Sequence, residues 1–312
     1  MRHTARPPIS TASNATGAAP LSAETAGMLL GLTGVAIFSL TLPFTRLAVA
    51  ELPPVFVALA RALVAAVLAG AWLAWRRAPL PPRTALLPLA LVAAGCVVGF
   101  PLLTSIALRS VPAAHGAVLV GVLPLATALF SALRGHERPS PAFWLTALLG
   151  TALVAGFALR QSGGSFHLAD LALFGAVLLG AVGYAEGGRL AQTLGGQHVI
   201  SWALLLAAPL LLPLVLWLCR HDGPAIAAAG ALAWAGFAYV SVFSMFIGFF
   251  FWYRGMALGG VARVGQVQLV QPCLSLLGAA VLLGEALTWS TMLFALAIVG
   301  VVAAGRKMQI KR

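Results

Sequence analysis

The chain has 312 residues, 61% hydrophobic and only 8% charged, with a mean hydropathy of +1.00, which excludes a soluble globular domain and implies a polytopic membrane protein. Its net charge of +12 comes from basic residues scattered between apolar runs. No nucleic-acid partner is expected, and the charge is read as membrane topology.

Residues 1–23 contain two arginines but no apolar stretch, so they are expected to form a disordered cytoplasmic tail rather than a signal peptide. Ten segments then approach the roughly 20 apolar residues that a span requires: 26–49, 53–75, 85–108, 112–133, 142–159, 168–190, 199–218, 231–253, 261–284 and 288–305. Helix is the expected state for each, because backbone groups in lipid must be satisfied within the segment. Residues 306–312 form a short basic tail. With the N-terminus inside, fourteen arginines and lysines fall on the cytoplasmic side, four outside (Arg46, Arg109, Arg160, Arg220), and Arg61 within a span. That bias puts both termini in the cytoplasm. All eight tryptophans lie near expected span ends, the depth an amphipathic ring prefers.

The fourth and ninth spans are twins. Pro124 precedes Glu137 by thirteen residues and Pro272 precedes Glu285 by thirteen, the two pairs being offset by 148. Arg46-Leu47-Ala48 ends the first span as Arg189-Leu190-Ala191 ends the sixth. The expected fold is therefore all-α, ten transmembrane helices as two repeats, residues 24–160 and 161–305. Since five spans per repeat is an odd number, the repeats are inverted. Such an architecture is expected to pass a small-molecule solute between its halves, with the lipid bilayer as its surroundings; the sequence leaves the oligomeric state open, a monomer included.

The paired motifs GHERPS and GEALTW on this five-plus-five profile, with LARALVAA around Arg61, resemble the drug/metabolite transporter superfamily with EamA-type repeats, within it the YddG-like exporters of aromatic amino acids. The resemblance implies a permease for aromatic or other apolar amino acids and related metabolites. His136 separates Gly135 from Glu137, so the first motif departs from the adjacent Gly284-Glu285 pair.

Candidate pathway residues follow from position. Pro124 and Pro272 are expected to free the carbonyls of Val120 and Gln268 and open a midplane cavity, or simply to curve the helices. Pro43 and Pro101 are candidate kinks for gating. Gln268, Gln271 and Ser275 share one helix face at i, i+3, i+7, and amides avoid lipid, so the row should point inward. His115, at the outer start of the fourth span, is a candidate for solute contact or proton carriage, against a simple packing role. Tyr184 lies between Gly183 and Gly187, and its hydroxyl needs a partner at that depth. Tyr239 and Phe243 begin an aromatic row continued by Phe246, Phe250 and Tyr253, suited to stacking on a solute or to helix packing. Glu186 is expected to pair with Arg189 at i+3.

Cys96, Cys219 and Cys273 lack metal-like spacing and are read as buried packing residues. No cofactor or metal is expected. An intramembrane enzyme is the alternative class. GxSxG, HExxH and P-loop motifs are missing from the sequence, leaving only an unrecognised Ser/His site at His115.

Overall fold

A computed structural model describes residues 22–134, 138–161, 167–259, 264–307 and 310–311. The Gly135-His136-Glu137 motif, the 162–166 linker and Arg263 lie outside these. In chain order the principal helices are α1 (Ala23–Glu51), α2 (Pro54–Trp75), α3 (Arg83–Ala107), α4 (Ala113–Arg134), α5 (Pro141–Gln161), α6 (Leu168–Leu194), α7 (Gly196–His221), α8 (Ala231–Gly259), α9 (Gln271–Leu283) and α10 (Trp289–Lys307). Among the described residues, seven are long and apolar enough to cross a membrane; α5, α9 and α10 carry the shorter apolar runs Trp144–Arg160, Val267–Leu283 and Trp289–Ala304. A two-residue bridge pairs Arg138–Pro139 with Ile310–Lys311.

Several of the expected continuous helices are interrupted, and proline chemistry accounts for where. The α1 ladder breaks at Leu40, three residues before Pro43, which has no N–H to give the carbonyl of Ser39. In α4 the helix stops at Val120, turns through Gly121 and Val122, and restarts at Leu123. A 3-10 stretch, Gly265–Val270, leads into α9. Pro124 and Pro272 thus both occupy the first turn of a restarting helix, where the missing N–H is not needed. The expectation that Pro272 frees the Gln268 carbonyl is corrected: that carbonyl accepts the N–H of Gln271. Wide π-helical turns occupy Ala93–Gly99 in α3 and Val240–Ile247 in α8. The shift of 148 that joins the prolines carries residues 93–99 onto 241–247.

Helix α1 packs along α8, and α3 along α6; α2 packs on α7, α4 on α9 and on α6, α1 on α9, and α5 on α10. Small residues permit the closest crossings. A Cβ added at Gly27 would lie 2.4 Å from the backbone nitrogen of Gly259, and one at Gly95 would lie 2.3 Å from the carbonyl oxygen of Leu179. Leucines and valines such as Val67, Leu148, Leu210 and Val281 face outward, as a lipid-facing perimeter requires.

Two packing expectations are corrected. Trp252 is fully buried against Phe38 and Tyr184 rather than placed at a headgroup level, because α8 continues seven residues beyond it to Gly259. Cys219 and Cys273 are exposed on the perimeter; only Cys96 is buried.

Candidate functional site

The wide turns and the α1 break surround a chamber in the middle of the bundle. Its walls include Phe38, Thr41 and Leu42 from α1, Arg61 from α2, Cys96 and Phe100 from α3, Val120 from α4, Gly180 and Tyr184 from α6, Ser244 and Phe249 from α8, and Gln271 from α9. A π turn holds one more residue than an α turn and so redirects a side chain that would otherwise follow the helix face. Cys96 and Ser244 stand in the two π turns, 148 positions apart, and both reach the chamber. Thr41 and Tyr184 are 143 apart, the same offset as Arg46 and Arg189, and face it from α1 and α6. These two pairs of lining residues thus come from corresponding places in the two halves of the chain.

Polar groups in the chamber have unequal partners. The hydroxyls of Thr41 and Ser244 share a hydrogen bond of 2.9 Å. Arg61 is 2% exposed, and its Nε and Nη1 have no hydrogen-bond partner. The rings of Phe38, Phe249 and Trp252 pack around Tyr184. The chamber's free volume is about 30 Å³, room for about one water molecule. This conformer is therefore closed around its centre.

Adjoining it, a narrower cleft lies where α4 meets α9. Pro124, Gln268, Gln271, Pro272 and Ser275 line it together, with Gly121 facing Pro272. The row of Gln268, Gln271 and Ser275 does point inward, and the Nε2 of Gln268 is buried without a partner.

Polar contacts close both ends of the bundle. At one end, Gly284 adopts φ +66, and the N–H groups of Gly284 and Glu285 turn back to the carbonyls of Ala280 and Ala279. Glycine is favoured in this left-handed conformation. The turn aims Glu285 at the start of α4, where its two oxygens accept the N–H groups of Ala113 and Ala114 at 2.7 and 2.8 Å. The Gly-Glu pair is thus a helix stop joined to a cap for another helix. Nearby, Nε2 of His115 meets Oδ1 of Asp170 at 2.6 Å, both side chains being buried. Asp170 also accepts the N–H of His167 as part of a capping box. A cavity lined by His115, His167, Glu285 and Thr291 opens beside this pair. At the opposite end, Glu186 binds both Arg134 of α4 and Arg189, the latter being the expected i+3 pair.

The structure gathers Pro124, Gln268, Gln271, Pro272 and Ser275 in the cleft and Tyr184 and Gln271 in the chamber, and puts His115 at one mouth. Pro43 and Pro101 lie beside the α1 break and the α3 π turn. Tyr239 and Phe243 line neither central cavity. Tyr239 stacks on Phe44 with ring centroids 4.0 Å apart and donates its hydroxyl to the Ile37 carbonyl, while Phe243 is 47% exposed. Their row assumed a regular helix, and the π turn breaks its period so that Phe249 faces the chamber instead. Sequence reasoning missed Asp170, Thr41 and Ser244, and did not place Arg61 in the site. Arg61 alone carried a signal, as a charge within an apolar span. Asp170, buried in the first turn of α6, gives His115 a carboxylate partner rather than a serine.

Against known proteins, the model of the EamA-like transporter family matches twice, over residues 25–159 and 167–304. The chain belongs to the EamA-like transporter family. An uncharacterized transporter, YdeK, of Bacillus subtilis (strain 168) is 48% identical over 287 residues, covering 92% of this chain and 99% of that protein. A solved crystal structure shares the fold with a TM-score of 0.61 at 23% identity, covering 90% of this chain and 98% of the other. As an EamA-family member it is a multi-pass membrane transporter, and the chamber is the natural place to look for its solute.

Proposed function

We propose that this EamA-family transporter moves small organic solutes across the bacterial inner membrane by alternating access, exporting aromatic or other apolar amino acids and related metabolites. Two inverted five-helix repeats, residues 24–160 and 161–305, provide the two gates, and both termini are cytoplasmic. The observation that carries this reading is the central chamber, lined from both halves of the chain, with Cys96 and Ser244, and Thr41 and Tyr184, at corresponding places. Exchanging each helix for the one five places later turns the α1–α8 contact into α6–α3 and the α1–α9 contact into α6–α4, while α2–α7, α4–α9 and α5–α10 map onto themselves. Two halves with equivalent contacts can exchange which side is open. The rings of Phe38, Phe100, Tyr184 and Phe249 favour an aromatic or bulky apolar solute, by roughly 0.5–1.5 kcal/mol per ring pair beyond area burial.

The test is flux of labelled aromatic amino acids in vesicles reconstituted with the full chain, with and without a proton gradient. Movement above protein-free vesicles is expected, and downhill flux should survive collapse of the gradient. Absence of flux for every aromatic and apolar amino acid would refute the solute assignment.

A further inference from the structure

We infer that Arg61 is the anchor of the solute site and that the solute carries a carboxylate, with its apolar or aromatic body against the rings of the chamber. The guanidinium is buried, contributes to the chamber wall, and leaves Nε and Nη1 without a partner. Arginine keeps its charge in proteins, and a buried unpaired charge is strongly unfavourable, so an anion must complete the site. Among the described residues no carboxylate lines the chamber. Asp170 is held by His115, Glu186 by Arg134 and Arg189, Asp222 by His221, and Glu285 and Glu51 by backbone N–H groups of Ala113, Ala114 and Gly230. Glu24 sits in the first turn of α1, at the bundle's end.

The remaining chemistry suits a carboxylate. A guanidinium fork matches its two oxygens, and the amide of Gln271 and the hydroxyls of Thr41 and Ser244 supply further donors. The site is also one-sided. The offset of 143 that relates Arg46 to Arg189 and Thr41 to Tyr184 relates Arg61 to Leu204, a buried apolar residue of α7. A single charge on one wall of the chamber gives a bound solute a single orientation. Because no acidic group faces the chamber among the described residues, an amino group on the solute is dispensable while the carboxylate is not.

This inference deepens the permease reading, yet binding can be tested without transport. Thermal stability of the purified full chain in detergent and chloride-free buffer would be followed against 3-phenylpropionate, 3-phenylpropanol and 3-phenylpropylamine, with chloride and phosphate as further arms. The carboxylate is expected to stabilise the wild type; the alcohol and amine are not. Arg61→Gln should weaken the carboxylate response by about tenfold or more, the loss of one charge-assisted contact, and Arg61→Lys should retain part of it. Equal response to the alcohol or amine, no response to the carboxylate, or an unaltered response in Arg61→Gln would overturn the proposal. Equal stabilisation by chloride or phosphate would overturn the carboxylate assignment. If Arg61→Gln does not fold, the three isosteric compounds on the wild type decide alone. Flux of the same compounds separates the two readings. Carboxylate binding without flux would sink the permease and leave the site, whereas flux selective for the amine would do the reverse.

Discussion

Glu285 offers the most direct energetic test of the fold. Its carboxylate spans from the turn after α9 to the first two N–H groups of α4, at 2.7 and 2.8 Å. A hydrogen bond to a charged group contributes about 1.5–3 kcal/mol. Glu285 is partly exposed, so solvent screening lowers the pair of bonds to about 2 kcal/mol in all. Glu285→Ala removes both bonds and leaves two donors at a helix start with no side-chain acceptor. Glu285→Gln keeps one acceptor oxygen and should lose about half as much, near 1 kcal/mol. At about 2–4 °C per kcal/mol, the alanine variant should unfold about 4–8 °C lower in detergent and the glutamine variant should fall between it and wild type. Replacing Gly284 by alanine should act in the same direction through the strained left-handed turn, costing about 1–2 kcal/mol. An alanine variant of Glu285 with an unchanged midpoint would refute the idea that this carboxylate fastens α4 to α9.

Three further predictions concern the pathway and its ends. Replacing either His115 or Asp170 by alanine should destabilise the chain by about 1–3 kcal/mol, the cost of leaving its buried partner unsatisfied, and the double replacement should cost clearly less than the sum, as read from a double-mutant cycle; additive losses would mean the two groups are not coupled. Gln268→Ala or Gln271→Ala should alter selectivity or flux at unchanged membrane abundance; unaltered transport would assign those amides to packing. In a chain with Cys219 and Cys273 changed to serine, Cys96 should react with a membrane-impermeant thiol reagent faster from the Glu186 side than from the Glu285 side, and faster reaction from the Glu285 side would reverse the assignment of the looser gate.

The parts of this molecule legible in its sequence are those set by composition or short spacing. Apolar run length located the helices, the row of Gln268, Gln271 and Ser275 at i, i+3, i+7 lies toward the bundle interior, and Glu186 met Arg189 one turn away. The unread parts depend on long-range geometry. Asp170 looks like an ordinary acidic residue in a first helical turn, and only folding brings it to His115, 55 positions earlier. Ser244 and Cys96 reach the chamber because π turns reset the helical phase, and small-residue runs such as Ala93-Ala94-Gly95 give no hint of it. The same phase shift moved Phe243 outward, where a regular period had aimed it at the solute.

The asymmetry predicted for Cys96 follows from the cost of breaking each end. Opening at the Glu285 end must part the α4 cap and the His115–Asp170 contact, and the latter leaves two buried polar groups that water must reach before any of the loss is recovered. Opening at the other end must part Glu186 from Arg134 and Arg189. Those arginine side chains are 55% and 60% exposed, so water takes up their lost bonds as they break. The Glu186 carboxylate itself is 3% exposed, but it stays beside Arg189 on α6 when α4 swings away, so one partner is retained throughout. A closed chamber held more weakly on one side opens there first in the absence of solute, and on the orientation proposed above that side is the cytoplasm, from which an exporter must load.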